Sequence, residues 1–194
     1  MRAAPFGFDI SLAGQWTAQF DNHLQRRLSA LRGQFSNDEA FRALLDTGDP
    51  VIYEVVEIER PKKAGELLTG ISVVHPGKVG SEYFMTMGHF HTIRDTAEIY
   101  YCLRGRGLLL MENADGEWTT EEFRPGRVVY VAPEWAHRSI NLSADEDLMT
   151  FFAYPGHAGH DYATIETNGF RKLVLEQNGE AAVVDNPAWS RHVT

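Results

Sequence analysis

The 194-residue sequence has one cysteine, no apolar run long enough to span a bilayer as a helix, and fewer basic than acidic side chains. Cys102 alone cannot close an intrachain disulfide, so packing and not cross-linking must stabilise the fold. A spanning helix needs about 20 consecutive apolar residues, and no such run occurs. The opening residues lack the apolar centre of a secretory signal, and these absences together point to a cytoplasmic protein. Eighteen Lys and Arg against twenty-seven Asp and Glu give a net charge of −9, the wrong sign for coating nucleic acid or an anionic membrane. Any anionic ligand must therefore be held by local groups. No glycine-rich loop of the P-loop or dinucleotide type occurs, so nucleotides and NAD are not implied.

What is present reads as one globular unit. Hydrophobic residues make up 43% and charged residues 23%, which excludes disordered and collagenous chains. A chain this long buries roughly 70% of its unfolded surface, enough to fold without a structural metal. The first fifty residues carry two helix-like patches. In Trp16–Leu31 the residues Phe20, Leu24, Leu28 and Leu31 recur at helical spacing, although a loose arm with one helical turn fits equally well. In the second patch Ser36 and Glu39 are spaced as a capping box before Phe41, Leu44 and Leu45, and Gly48-Asp49-Pro50 stops it.

From Val51 onward short runs rich in Val, Ile, Tyr and Phe alternate with turn signals such as His75-Pro76-Gly77, Ala114-Asp115-Gly116 and Asn178-Gly179. Strands are expected at 51–59, 67–75, 83–87, 98–103, 107–112, 117–123, 127–131, 137–142, 148–154, 170–176 and 180–185. Many short strands without intervening long helices predict an all-β antiparallel sandwich or barrel. The expected organisation is a partly helical N-terminal arm over 1–50, packed on a β domain over 51–194.

The densest chemistry is Gly88-His89-Phe90-His91 followed by Glu98. Alternate side chains of a strand share a face, so His89 and His91 can offer two imidazoles to one ion. Glu98 opens the next strand and can add an oxygen. His137 lies about forty residues on, where a sandwich can bring it alongside, and three His plus a carboxylate suit Fe, Mn, Ni or Zn with positions left open. Glu98, Tyr100 and Cys102 alternate onto one face. The pattern alone favours Tyr100 as a core aromatic and Cys102 as inert filling, since no Cys–His pair is evident. His23, His75, His157 and His192 read as surface or structural.

These two motifs, with Gly105 and Asn141, resemble those of the cupin superfamily, small jelly-roll barrels that hold a metal. The generic pattern has fewer than the six residues found between His91 and Glu98, and has Pro and Gly where Ala132 and Glu134 stand. The chain is similar almost end to end to one branch, the cupin-type glucose-6-phosphate isomerases known chiefly from archaea. The resemblance rests on residues 49–55, 75–80, 86–91, 97–100, 125–131, 135–138, 158–162 and 183–187, with a weaker match at Pro5-Phe6-Gly7.

It implies a cupin jelly-roll β-barrel or sandwich, a sugar-phosphate substrate, a homodimer, and one divalent metal per subunit, with Fe ahead of Mn, Ni or Zn. It implies His89, His91, Glu98 and His137 as metal ligands, and Glu98, His160 and Tyr100 as catalytic residues. Tyr53, Ser72, Thr86, Gly88 and Tyr162 would bind substrate, with Ser72, Thr86 and the Gly88 backbone on the phosphate. Met87 stands where archaeal members often carry Lys. Two other readings stay open: a different metal cupin, such as a dioxygenase or another sugar-phosphate isomerase, and a non-catalytic sugar- or metal-binding cupin.

Overall fold

A computed structural model describes residues 4–11 and 20–189. The chain enters through β1 (Asn22–Arg27), a 3₁₀ turn (Leu28–Leu31) and α1 (Asp38–Thr47), then runs into β2 (Val51–Ile58) and β3 (Leu67–Val74). Three two-residue strands follow: β4 (Lys78–Val79), β5 (Glu82–Tyr83) and β6 (Phe90–His91). The centre of the chain forms β7 (Glu98–Arg104), β8 (Gly107–Asn113), β9 (Trp118–Phe123), β10 (Val128–Val131), β11 (Trp135–Asn141) and β12 (Leu148–Pro155). The last elements are β13 (His160–Asp161), α2 (Ala163–Asn168), β14 (Lys172–Gln177) and β15 (Glu180–Asp185).

The pairing order establishes the topology. One sheet runs β1-β2-β3-β12-β7-β10, and another runs β11-β8-β9. Isolated bridges Met85↔Ile140 and His89↔His137 lay the extended segment 85–91 along the free side of β11. Numbered in chain order from β3, the eight core strands therefore form sheets 1-8-3-6 and 2-7-4-5, which is the double Greek key of a jelly roll. Hydrogen bonding does not close the two sheets into a barrel among the described residues, so the architecture is a sandwich. A smaller β15-β14-β5-β4 sheet packs beside it.

The interior between the sheets is apolar and continuous. Ile52, Leu109, Leu110, Phe123, Ile140 and Leu148 are almost wholly buried in it, together with Leu28, Leu31 and Phe41 from the N-terminal segment. Alternation explains the faces: β10 buries Val129 and Val131 and exposes Val128 and Tyr130.

Three local expectations need correction. The helical spacing over Trp16–Leu31 does not give a helix where it can be seen: residues 22–27 pair antiparallel with β2, and only Leu28–Leu31 coil, while 12–19 lie outside the described residues. Pairing with an open sheet edge overrides a weak helical pattern. The cap of α1 is Asn37, whose side chain accepts the Ala40 N–H at 2.9 Å; Ser36 instead gives its N–H and O–H to buried Glu82, both at 2.8 Å. The expected strand 83–87 is confined to Tyr83, because the chain there leaves β5 to run beside β11.

Asn141 fastens one end of the sandwich. It is fully buried; its Nδ2 donates to Val74 O and Glu146 O, and its Oδ1 accepts the Ser143 N–H, all at 2.8 Å. Asn141→Ala strands three backbone groups, which costs about 3 kcal/mol. Scanning calorimetry should show a Tm lowered by roughly 6–12 °C.

Candidate functional site

The jelly roll delivers the chemistry-bearing side chains to one place between its sheets. His89 and His137 face each other across their bridge, each backbone N–H donating to the other's carbonyl at 3.2 and 3.1 Å. His91 follows on β6, and Glu98 opens β7. One donor atom from each of His89, His91, Glu98 and His137 lies within 4.8 Å of the others. His91 Nε2 is 3.0 Å and His137 Nε2 is 3.1 Å from Glu98 Oε2. His91, Glu98 and His137 are buried.

Unpaired polar atoms test whether these residues fit an ion. The buried Nε2 atoms of His89 and His137 have no hydrogen-bond partner, His137 being near Glu98 but outside hydrogen-bond geometry. A buried polar atom left unsatisfied costs about 1–3 kcal/mol, so two in one cluster call for a shared partner. Three imidazoles and a carboxylate converging there are the N₃O donor set of divalent transition metals. The residues fit a single such ion.

The six residues between His91 and Glu98 are tied down and have a function of their own. Ile93 N–H donates to Ala158 O at 2.8 Å, and Arg94 pairs with Asp161 at 2.7 Å while lying over the Phe90 ring. Thr96 Oγ1 donates to Ile93 O at 2.5 Å, which leaves that oxygen only lone pairs for His91. His91 Nδ1 lies 2.8 Å from Thr96 Oγ1 and 3.1 Å from Thr96 O, both acceptors. Nδ1 must therefore carry a proton, which turns Nε2, 3.0 Å from Glu98 Oε2, toward the cluster as the atom that would ligate an ion.

Burial would raise the Glu98 carboxyl, but His137, His91 and His89 around it hold it far below the usual carboxylate range. Burial, with His137 and His160 beside it, drives His89 well down, so this imidazole is neutral at ordinary pH. Burial also lowers His160, to about 4. Tyr100 is pushed up by burial and by Glu98, to which it hydrogen-bonds, and stays a protonated phenol. Cys102 is raised to about 11 by burial, and its thiol points at the Arg104 carbonyl, as suits an inert residue.

A cavity of about 240 Å³ opens on the cluster. His89, Glu98, His137, Tyr100 and His160 are among its lining residues, and so are Tyr53, Ser72, Thr86, Gly88 and Tyr162. His91 belongs to the donor cluster but not to the cavity wall. His160 reaches the site because β13 pairs with β6, opposing His160 to His91; its ring centroid is 4.3 Å from that of His89. Gly88 has φ +78, and a Cβ there would meet Phe170 at 2.7 Å and Arg138 at 2.9 Å, so packing demands glycine at this turn. Met87 is buried in the core and does not line the cavity.

Several wall residues escaped sequence reasoning: Arg26, Glu57, Ser139, Phe152 and Tyr154. The Thr150, Phe152, Tyr154 alternation of β12 carried a usable signal for the last two, whereas Arg26 was hidden by the helical spacing around it. Of the remaining histidines, His75 bridges Glu54 and Asp147 at 3.1 and 2.8 Å, His23 contacts Glu54, and His192 lies outside the described residues.

A jelly-roll sandwich that gathers three imidazoles and a carboxylate in its interior has the fold and the donor set that the two histidine motifs lead one to expect of a cupin. Residues 25–190 match the family profile described as glucose-6-phosphate isomerase (GPI), and the chain belongs to that family. It is 49% identical over 166 residues to the glucose-6-phosphate isomerase of Pyrococcus horikoshii, covering 86% of this chain and 87% of that one. The Thermococcus kodakarensis glucose-6-phosphate isomerase is 46% identical over 185 residues, covering 95% and 96%. A putative glucose-6-phosphate isomerase of Rhizobium meliloti is 40% identical over 188 residues, covering 95% and 87%.

Replacing His89 by Ala should lower metal affinity at least about 100-fold with the circular dichroism spectrum unchanged, since a ligand is lost from a core that is otherwise intact. Thr96→Val, which leaves His91 its bond to the Thr96 carbonyl, should cost about 10-fold. Metal content after dialysis against graded chelator checks both; unchanged occupancy in His89→Ala would remove it from the donor set.

Proposed function

We infer that the chain is a metal-dependent isomerase interconverting glucose 6-phosphate and fructose 6-phosphate in glycolysis and gluconeogenesis. The observation that carries this is one cavity joining the His89–His91–Glu98–His137 donor set to a hydroxyl-lined wall, in a member of the glucose-6-phosphate isomerase family. A bound divalent metal, iron ahead of Mn, Ni or Zn, would polarise the sugar's C1 and C2 oxygens.

The rest of the work falls to the chain. Glu98, ionised and facing the cavity, takes the proton from C2 of the aldose and returns it to C1. Tyr100 orients that carboxylate through its hydrogen bond. His160, kept neutral by burial, has a lone pair for relaying protons between sugar oxygens and for opening the ring. Tyr154, Tyr162 and Phe152 shield the reacting carbons from bulk water. The neighbours that keep Glu98 ionised also lower its basicity, so a second route, in which hydrogen passes directly between C1 and C2, stands beside the first. Deuterium from heavy water appears on carbon in the product by the first route and not by the second.

Metal-loaded protein should convert fructose 6-phosphate to glucose 6-phosphate in a dehydrogenase-coupled assay without consuming oxygen. Chelation should reduce the rate at least about 100-fold, and adding back Fe, Mn or Ni should restore it. Full activity in metal-free protein defeats the mechanism. Oxygen uptake without isomerisation supports the dioxygenase alternative, and ligand binding without turnover supports the non-catalytic one.

A cytoplasmic homodimer completes this reading. Supporting it, Ile99 and Tyr101 on β7 and Val128 and Tyr130 on the edge strand β10 are cross-strand neighbours forming one exposed apolar patch. Sedimentation should give a dimer at micromolar concentration and a monomer for Val128→Asp; a monomeric parent rejects the proposal.

A further inference from the structure

The cavity has a chemical asymmetry that the metal donor set does not explain. Among its described lining residues Arg26 is the one Lys or Arg, in a chain whose net charge is −9. Its neighbours are the phenols Tyr53, to which it hydrogen-bonds, and Tyr162, and its Nε is buried without a partner. A guanidinium held against two neutral phenols, with a donor unused, is poised for an anion that arrives from outside.

The backbone aims Arg26 inward. On β1 it stands opposite Tyr53 of β2, and the pairing register breaks immediately after it, between Arg26 and Arg27. The consecutive arginines diverge: exposed Arg27 turns away to donate to Asp49 O at 2.7 Å. The Tyr53 hydroxyl that receives Arg26 is also hydrogen-bonded by the Met87 backbone, which brings the guanidinium beside the 86–88 turn. Thr86 Oγ1 accepts the Ser139 N–H at 3.0 Å, so its own proton is available to donate into the cavity. The other nearby cation, Arg138, is fully buried, packs on Phe170, donates to Met87 O and does not line the cavity. Thr86 lies three residues from His89, and both line the cavity, so the hydroxyl and the donor cluster can face one ligand.

We propose that Arg26 binds the phosphate of the substrate, an inference that rests on the sugar-phosphate reading above. The planar fork of Arg26 meets two phosphate oxygens, and the Thr86 and Ser72 hydroxyls meet the third. Selectivity for the phosphorylated sugar over the free sugar then comes from β1, and position 87 need not carry a cation.

The test uses metal-loaded parent, Arg26→Met, Arg26→Gln and Arg26→Lys. Steady-state kinetics with fructose 6-phosphate, calorimetric titration with inorganic phosphate, metal content and thermal melting are read for each. Arg26→Met and Arg26→Gln should lose about 10- to 150-fold in kcat/KM, chiefly through KM, and a similar factor in phosphate affinity. Metal content and melting should stay at the parent's values, which separates lost binding from lost structure. Arg26→Lys, with charge but no fork, should recover part of both. Unchanged kinetics and phosphate affinity in any folded, metal-replete Met or Gln variant overturn the proposal. A collapse of melting or metal content that accounts for the whole kinetic loss overturns it too, since Arg26 is then structural. A parent that binds phosphate through Arg26 without turning over fructose 6-phosphate sinks the isomerase reading and leaves the phosphate site standing.

Discussion

A buried carboxylate among imidazoles is the constraint on which this structure turns. Glu98 is 3% exposed, and an unpaired carboxylate at that depth would protonate or disrupt its surroundings. Here it stays ionised because three histidines from two other parts of the chain converge on it. That convergence requires the jelly-roll crossing: His89 and His91 on one strand, Glu98 on the next, and His137 on a strand that returns to bridge His89. Burial and the imidazoles beside it keep His89 neutral, so its unpartnered Nε2 presents a lone pair to the cluster. Fold and site are thus one arrangement, since the strand crossing that buries Glu98 is the one that brings the imidazoles to it.

The supporting shell is local to this sequence. The longer connection between His91 and Glu98 gives room for Thr96 to fold back and fix the His91 tautomer, while Arg94 and Ile93 pin the connection to the 158–161 segment. That same segment carries His160, so the connection that orients His91 also sets the His160 imidazole beside His89. Glu134, standing where cupins usually have Gly, adopts φ +72 and donates its N–H to Arg94 O at 2.9 Å. The left-handed geometry is kept at a cost of about 1–2 kcal/mol, and the bond to the ligand-bearing loop offsets part of it.

What could be read from the sequence follows from how local each signal is. The His-x-His alternation, the Glu98 strand start and the β7–β12 boundaries are short-range patterns, and they mark real strands to within a residue or two. Phe20, Leu24, Leu28 and Leu31 mislead because a spacing of four satisfies both a helix and the alternation of a strand; which one forms depends on β2 offering an open edge thirty residues away. Ser36 likewise fits a capping box, but buried Glu82 on a distant strand competes for its hydroxyl, and the neighbouring Asn37 takes the cap. Each failure is a tertiary partner overriding a local preference.

The same reasoning explains why the N-terminal segment matters to the cavity. Leu28, Leu31 and Phe41 share the main core with the sandwich, so β1 is anchored at its exit by burial and along its length by pairing with β2. Anchored in this way, β1 can hold a guanidinium inside the cavity at little further entropic cost, whereas a mobile arm would have to order on binding. The two ends of the cavity then differ in kind: a compact donor cluster set by the sheet crossing, and a cationic, hydroxyl-lined wall completed by an added strand. On the reading proposed above, a ligand that satisfies both carries oxygens for the donor cluster and an anionic group for the wall that Arg26 completes.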